Sequence, residues 1–183
     1  MNRNLILLLL IVVLKINAQS ESVLNWNENQ KLKVLDFQAK PDVVSKGQAQ
    51  TTYKIEIYPQ NVMVDEKDRI KDYEKLTVFA QFYKKESWFK KVTDEIKLLS
   101  HEQLHFDIAE LFARKIRQRF NELKAVKESR FNVYLSEYKK IWIACRRFQR
   151  LYDEETTHGF NRGANGLWKA KVDKMMKQLE RFK

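Results

Sequence analysis

Apolar positions change their spacing near Ser87: before it they alternate, and after it they recur every three or four residues. In TTYKIEIYPQ (51–60), Tyr53, Ile55 and Ile57 alternate with polar neighbours, and EKLTVFAQFY (74–83) is rich in β-branched and aromatic residues. Both segments predict strands. The stretch before them, VLNWNENQKLKVLDFQAKPD (23–42), predicts an irregular start with one short strand, and VDEKDRIKD (64–72) a polar connection. Pro41, Gly47 and Pro59 punctuate this half.

Beyond Ser87 three long helices are expected. The first runs from near Thr93 to about Leu123, with Thr93 or Asp94 as its cap. A second carries the stripe Phe131, Tyr134, Leu135, Tyr138, Ile141, Trp142, Cys145, Phe148 and Leu151. The last covers roughly Ala164 to Phe182, with Leu167, Trp168, Val172, Met175, Met176 and Leu179 inward. Trp88, Trp142 and Trp168 read as packing residues. The fold class is α+β, with a small N-terminal antiparallel sheet packed on three helices.

Composition sets the compartment and the scale. The chain has 183 residues, 44% of them hydrophobic, enough for one core and a single domain over residues 19–183. MNRNLILLLLIVVLKINAQS has a basic start at Arg3, runs apolar from Leu5 to Leu14, and offers Ala18 as a cleavage position. Residues 1–18 therefore predict a signal peptide, since ten apolar residues ended by Lys15 are too few to span a bilayer. The mature protein is expected in the periplasm or outside the cell, with no stable membrane span. Cys145 is the single cysteine, so no internal disulfide forms, and it reads as a small buried hydrophobe. Net charge is +11, or +9 once Arg3 and Lys15 leave with the signal. Basic residues interleave with acids along helix faces, which predicts a solvated surface and no nucleic-acid partner.

The candidate chemistry lies in LLSHEQLHFDIAELFARK (98–115). Residues four apart on a helix stand one turn above each other, so His101 and His105 project from one side, about 6 Å apart along the axis. Two imidazoles so placed can grip one zinc ion. Glu102, about 100° around the helix, stands where a general base meets the attacking water. Ile108, Ala109 and Phe112 share the histidine face, whereas Asp107 and Glu110 are expected to point away from it. The competing reading is a pair of structural histidines on an amphipathic helix.

A catalytic zinc ion takes three protein ligands and keeps a fourth position open. His158 is the remaining imidazole, in LYDEETTHGFNRGANGLW, which also holds three of the four glycines. It is the first candidate for third ligand. Asp153 is next, as a ligand or as the acceptor that orients an imidazole, and Glu154 and Glu155 compete. Tyr152 has two readings, an oxyanion hydrogen-bond donor or a core aromatic.

HEQLHFDIAELFARK, YDEETTHG and the following Gly163–Ala164, with Trp26, Leu35, Asp36, Phe37, Lys40 and Pro41 upstream, resemble a bacterial family. It is catalogued as a domain of unknown function and described as predicted secreted zinc-dependent proteases. The resemblance implies a zincin-like fold with His101, Glu102 and His105 as the zinc motif and Tyr152, Asp153, Thr156, His158 and Gly159 as a second motif. The expected activity is peptide-bond hydrolysis, with Zn2+ activating a water, Glu102 as general base, and a protein or peptide substrate. EKLTVFAQFY is the strand expected to pair with that substrate. Two alternatives remain: a non-catalytic secreted binding or assembly protein whose metal site Asp153 or Glu155 closes, and a hydrolase of some other envelope polymer.

Overall fold

The computed structural model describes residues 22–183, so the signal peptide expected over 1–18 lies outside the described residues. Five strands precede three helices: β1 (Val23–Asn25), β2 (Ala49–Gln50), β3 (Tyr53–Tyr58), β4 (Thr77–Tyr83), β5 (Trp88–Phe89), α1 (Glu95–Ala125), α2 (Phe131–Thr156) and α3 (Arg162–Gln178). The fold is α+β as the spacing predicts. One antiparallel sheet has the order β1-β4-β3, and β2 pairs with β5 in a separate two-stranded ribbon. Those two-residue strands are too short to leave a period in the sequence.

Strand β4 is the centre of the sheet, pairing from Tyr53↔Phe82 to Tyr58↔Thr77 with β3 and from Val23↔Tyr83 to Asn25↔Gln81 with β1. Val78, Ala80 and Phe82 point inward and are buried against α1, while Phe79 between them is 41% exposed. The segment expected to receive a substrate strand is the central strand of the sheet: β3 occupies one of its edges throughout and β1 the other at Gln81–Tyr83.

Helix α1 starts where Asp94 accepts a hydrogen bond from the Lys97 amide at 3.1 Å, the cap expected of it. It packs against the sheet, α2 and α3. Its buried residues therefore run around much of its circumference. Asp107 and Glu110, expected to face away from the core, are both buried. Asp107 accepts from Trp26 Nε1 at 2.7 Å and from Gln103 Nε2 at 2.9 Å. Glu110 accepts from Arg114 Nε at 3.0 Å and Arg117 Nη2 at 2.5 Å. Those guanidiniums in turn hold the Met176, Phe182 and Val78 carbonyls, tying the sheet and the C-terminal end of the chain to α1.

On the flanking helices the apolar stripes hold with two exceptions. Tyr134, Cys145, Tyr152, Trp168 and Val172 are buried, but Leu151 is 40% and Leu167 75% exposed. Trp88 and Trp168 are buried, and Trp142 is half-buried with its ring edge-on to Tyr53. No helix among the described residues is long and apolar enough to cross a membrane.

Candidate metal centre

Residues 101–105 occupy the second and third turns of α1, so the i, i+4 rule places both imidazoles on one side of a continuous helix. Facing them across the packed interface is α2, which contributes its own i, i+4 pair, Gln149 and Asp153. The two Nε2 atoms lie 3.2 Å apart. Asp153 Oδ1 stands 3.2 Å from the Nε2 of His101 and 3.0 Å from that of His105. Among the described residues, these three form a group whose ligand atoms lie within 4.8 Å of one another. A tetrahedral zinc ion with ligands at about 2.0–2.1 Å spaces them about 3.3 Å apart, close to the triangle observed.

Hydrogen bonds on the far side of each ring fix which nitrogen carries the lone pair. Gln149 Nε2 donates to the His105 carbonyl at 2.8 Å, which turns its Oε1 toward His105 Nδ1 at 2.6 Å. Asn165 Nδ2 donates to the carbonyls of Gly159 and Asn161, which turns its Oδ1 toward His101 Nδ1 at 3.3 Å. Each Nδ1 therefore donates its proton to an amide oxygen, and each Nε2 presents a lone pair to the shared point. Two imine nitrogens and a carboxylate oxygen repel one another there unless a cation, a proton or a metal ion, lies among them.

The titration behaviour follows. Burial disfavours a charged ring at His105, but the Asp153 hydrogen bond and the charges of Glu102 and Asp153 outweigh it and raise its pKa. For Asp153, burial pushes upward, and the hydrogen bonds and charges of the two rings overcome it, holding the carboxyl well below the usual carboxylate range.

Glu102 is buried to 4% exposure and lines the same cavity of about 430 Å³ as His101, His105 and Asp153. Its carboxylate makes no hydrogen bond or ion pair among the described residues. The opposite wall is the segment 46–51, whose Thr51 hydroxyl reaches the Glu102 carbonyl at 3.4 Å.

The structure sorts the other candidates. His158 stands at the rim outside the triad, with its side chain 75% exposed and its Nδ1 3.7 Å from Asp153 Oδ1. The reason is the bend itself: Thr157, His158 and Gly159 all adopt positive φ, which ends α2 and turns the His158 side chain outward, so the carboxylate that converges on the two imidazoles is that of Asp153, five residues earlier. Gly159 is needed there, since a Cβ would come within 2.9 Å of His101 Cγ. Tyr152 is fully buried, its ring stacked on His101 at 4.6 Å and its hydroxyl donating to Asn165 Oδ1 at 2.8 Å. It braces the imidazoles and has no hydroxyl proton left for an oxyanion. Glu155 accepts from Trp168 Nε1 at 2.8 Å, and Glu154 is exposed.

Gln149 and Asn165, which orient the two imidazoles, are site positions that reading the sequence missed. The signal for Gln149 was an uncharged amide on the apolar stripe, four residues after Cys145 and three before Tyr152. Asn165 left no comparable mark. No curated protein and no solved structure matches the chain. Residues 83–159, from the end of β4 to the glycine that abuts His101, match the family described as "Bacterial protein of unknown function (DUF922)".

Proposed function

We propose that this protein is a metal-dependent hydrolase, a zinc metallopeptidase acting on peptides outside the cytoplasm. The observation that carries the reading is the convergence of His101 Nε2, His105 Nε2 and Asp153 Oδ1, with an unpartnered Glu102 carboxylate in the same open cavity. His101, His105 and Asp153 would hold the ion. When bound, a divalent ion there supplies Lewis-acid polarisation of the scissile carbonyl and lowers the pKa of water, and imidazole ligands favour zinc.

The chain's own residues do the rest. Gln149 and Asn165 hold the two rings in the tautomer that ligates. Tyr152 and Gly159 fix the position of His101. Glu102 accepts the proton of the attacking water and passes it to the leaving amine. The segment 46–51 and Phe160 bound the space in which the substrate chain lies.

The test combines metal content with hydrolysis. Protein purified without chelator should carry about one zinc per chain. Glu102→Gln should keep the metal and lose at least about 100-fold in kcat, the size expected for a general base. Asp153→Ala should lose the metal, while His158→Ala should retain it. Absence of metal from the wild-type protein would sink the reading. Loss of metal from His158→Ala would instead make that rim imidazole a fourth protein ligand, as the non-catalytic alternative requires.

A further inference from the structure

Ten arginines lie among the described residues, and six of them, Arg69, Arg114, Arg117, Arg119, Arg130 and Arg162, form ion pairs with carboxylates. Arg181 stacks its guanidinium on the Phe182 ring at 4.6 Å. The remaining three, Arg146, Arg147 and Arg150, are all exposed on α2 and make no ion pair among the described residues. They line a single hollow of about 530 Å³ together with Tyr53, Ile143, Gln149 and Asp153. Tyr53, Gln149 and Asp153 also line the cavity of the triad. The two spaces are therefore neighbours sharing one wall, with the triad on one side and three unpaired guanidiniums on the other.

Arg146 and Arg150 stand four apart on the helix and Arg147 and Arg150 three apart, so each such pair is a like-charge contact that destabilises α2. Six of the other seven described arginines have a carboxylate, whereas these three have none. A guanidinium presents paired N–H donors that match a carboxylate in geometry and charge. The half-buried Tyr53 ring and the 51% exposed Ile143 add an apolar floor for the methylenes of a bound side chain. The one carboxylate that lines the hollow, Asp153, has its Oδ1 directed to the two imidazoles and makes no ion pair with the three arginines.

We propose that Arg146, Arg147 and Arg150 form a carboxylate-binding subsite that selects peptides carrying a negative charge a short distance from the bond lying over His101 and His105. The proposal rests on the metallopeptidase reading and names its substrate class: acidic peptides, the carboxylate belonging to an aspartate or glutamate side chain or to the peptide's C-terminus.

The test scans one glutamate, and in parallel one glutamine, through each position of an otherwise neutral peptide, prepared with free and amidated C-termini. In one register the glutamate peptide should exceed its glutamine counterpart in kcat/KM by about tenfold, an advantage that shrinks as salt rises. If the terminal carboxylate is the group bound, the preference will follow the free terminus instead. The triple variant Arg146→Gln, Arg147→Gln, Arg150→Gln should bring the ratio to about one, whereas Lys174→Gln with Lys177→Gln, which removes charge from exposed positions on α3, should leave it unchanged. A ratio near one in the wild-type protein overturns the proposal. So does a triple variant that keeps the preference, or one that loses only its binding to vesicles containing anionic lipid. If no peptide is cleaved, the peptidase reading fails, and binding of fluorescein-labelled glutamate and glutamine peptides to Glu102→Gln decides the subsite separately. Equal affinities there overturn it, and tighter binding of the glutamate peptide that the arginine substitutions abolish sustains it.

Discussion

Helix α1 carries two buried polar clusters about two turns apart, each begun by an i, i+4 pair: His101 with His105, and Glu110 with Arg114. At the second, opposite charges meet. Arg114 and Arg117 satisfy Glu110 and spend their other donors on three backbone carbonyls and Glu180, so the cluster is closed by the protein itself. At the first, three lone-pair-bearing atoms converge, amides behind the two imidazoles hold the rings in place, and no lysine or arginine among the described residues pairs with them. A buried polar cluster that closes on itself welds elements together, whereas one left with an excess of acceptors calls for a cation. Burial alone does not tell them apart, since His101, Glu102, Glu110 and Arg114 all have 4% exposure or less.

The largest effect expected is at the closed cluster. Arg114→Ala leaves Glu110 with one partner in the interior and should cost about 3–5 kcal/mol of stability, seen in thermal or denaturant melts, with or without chelator. If added zinc restores that loss, the two clusters are not independent. Gly159→Ala strikes the open cluster. It places a Cβ against His101 at a φ of 85° and should cost roughly 1–3 kcal/mol, together with a weakened hold on metal in competition with a chelator. An alanine variant that binds metal as tightly as the wild type would mean the bend does not position the ring.

The smallest effect is on pH dependence, and its direction separates metal-free from metal-bound protein. His105 has a raised folded pKa, so in metal-free protein its contribution is fully present below the ordinary imidazole value and is lost as pH rises through the folded value. Asp153 has a lowered folded pKa, so its contribution is present above the ordinary carboxylate value and is lost as pH falls through the folded one. Chelated protein should therefore lose stability on the alkaline side of the His105 titration. Zinc-loaded protein should not, because a metal competes with protons and gains as they leave. Parallel melts across that range that coincide with and without zinc would argue against a metal at His105.

Much of the architecture was legible because the two periods are strong. The alternation of Tyr53, Ile55 and Ile57 and the stripe through Tyr134, Tyr138 and Cys145 locate elements that the structure contains. The ribbon of β2 and β5 was not legible, since two residues hold no period. Asp107 and Glu110 misled because an angular count assumes one buried face, and α1 is covered by the sheet, α2 and α3 together. At the site, the i, i+4 spacing was enough to pair His101 with His105. That Asp153 converges on the imidazoles while His158 stays at the rim depends on three successive positive φ values, which the sequence TTHG leaves open. The guanidinium hollow was hidden for another reason: from the sequence, CRRFQR resembles every other basic run, and only the fold determines which of those charges find a carboxylate.

Asn165 gives the final helix a part in the centre that its distance from the HExxH stretch conceals. One carboxamide accepts from Tyr152 and His101 and donates to the carbonyls of the bend, so α1, α2 and the bend are all read by a single residue of α3. That residue lies six positions beyond the family-matched segment, and the wall at 46–51 lies well before it. A fragment cut to 83–159 would keep every proposed ligand, with Tyr152 and Gly159 still against His101, yet lose the amide oxygen at its Nδ1 and the wall at 46–51, so reconstituting the centre calls for the flanking chain on both sides.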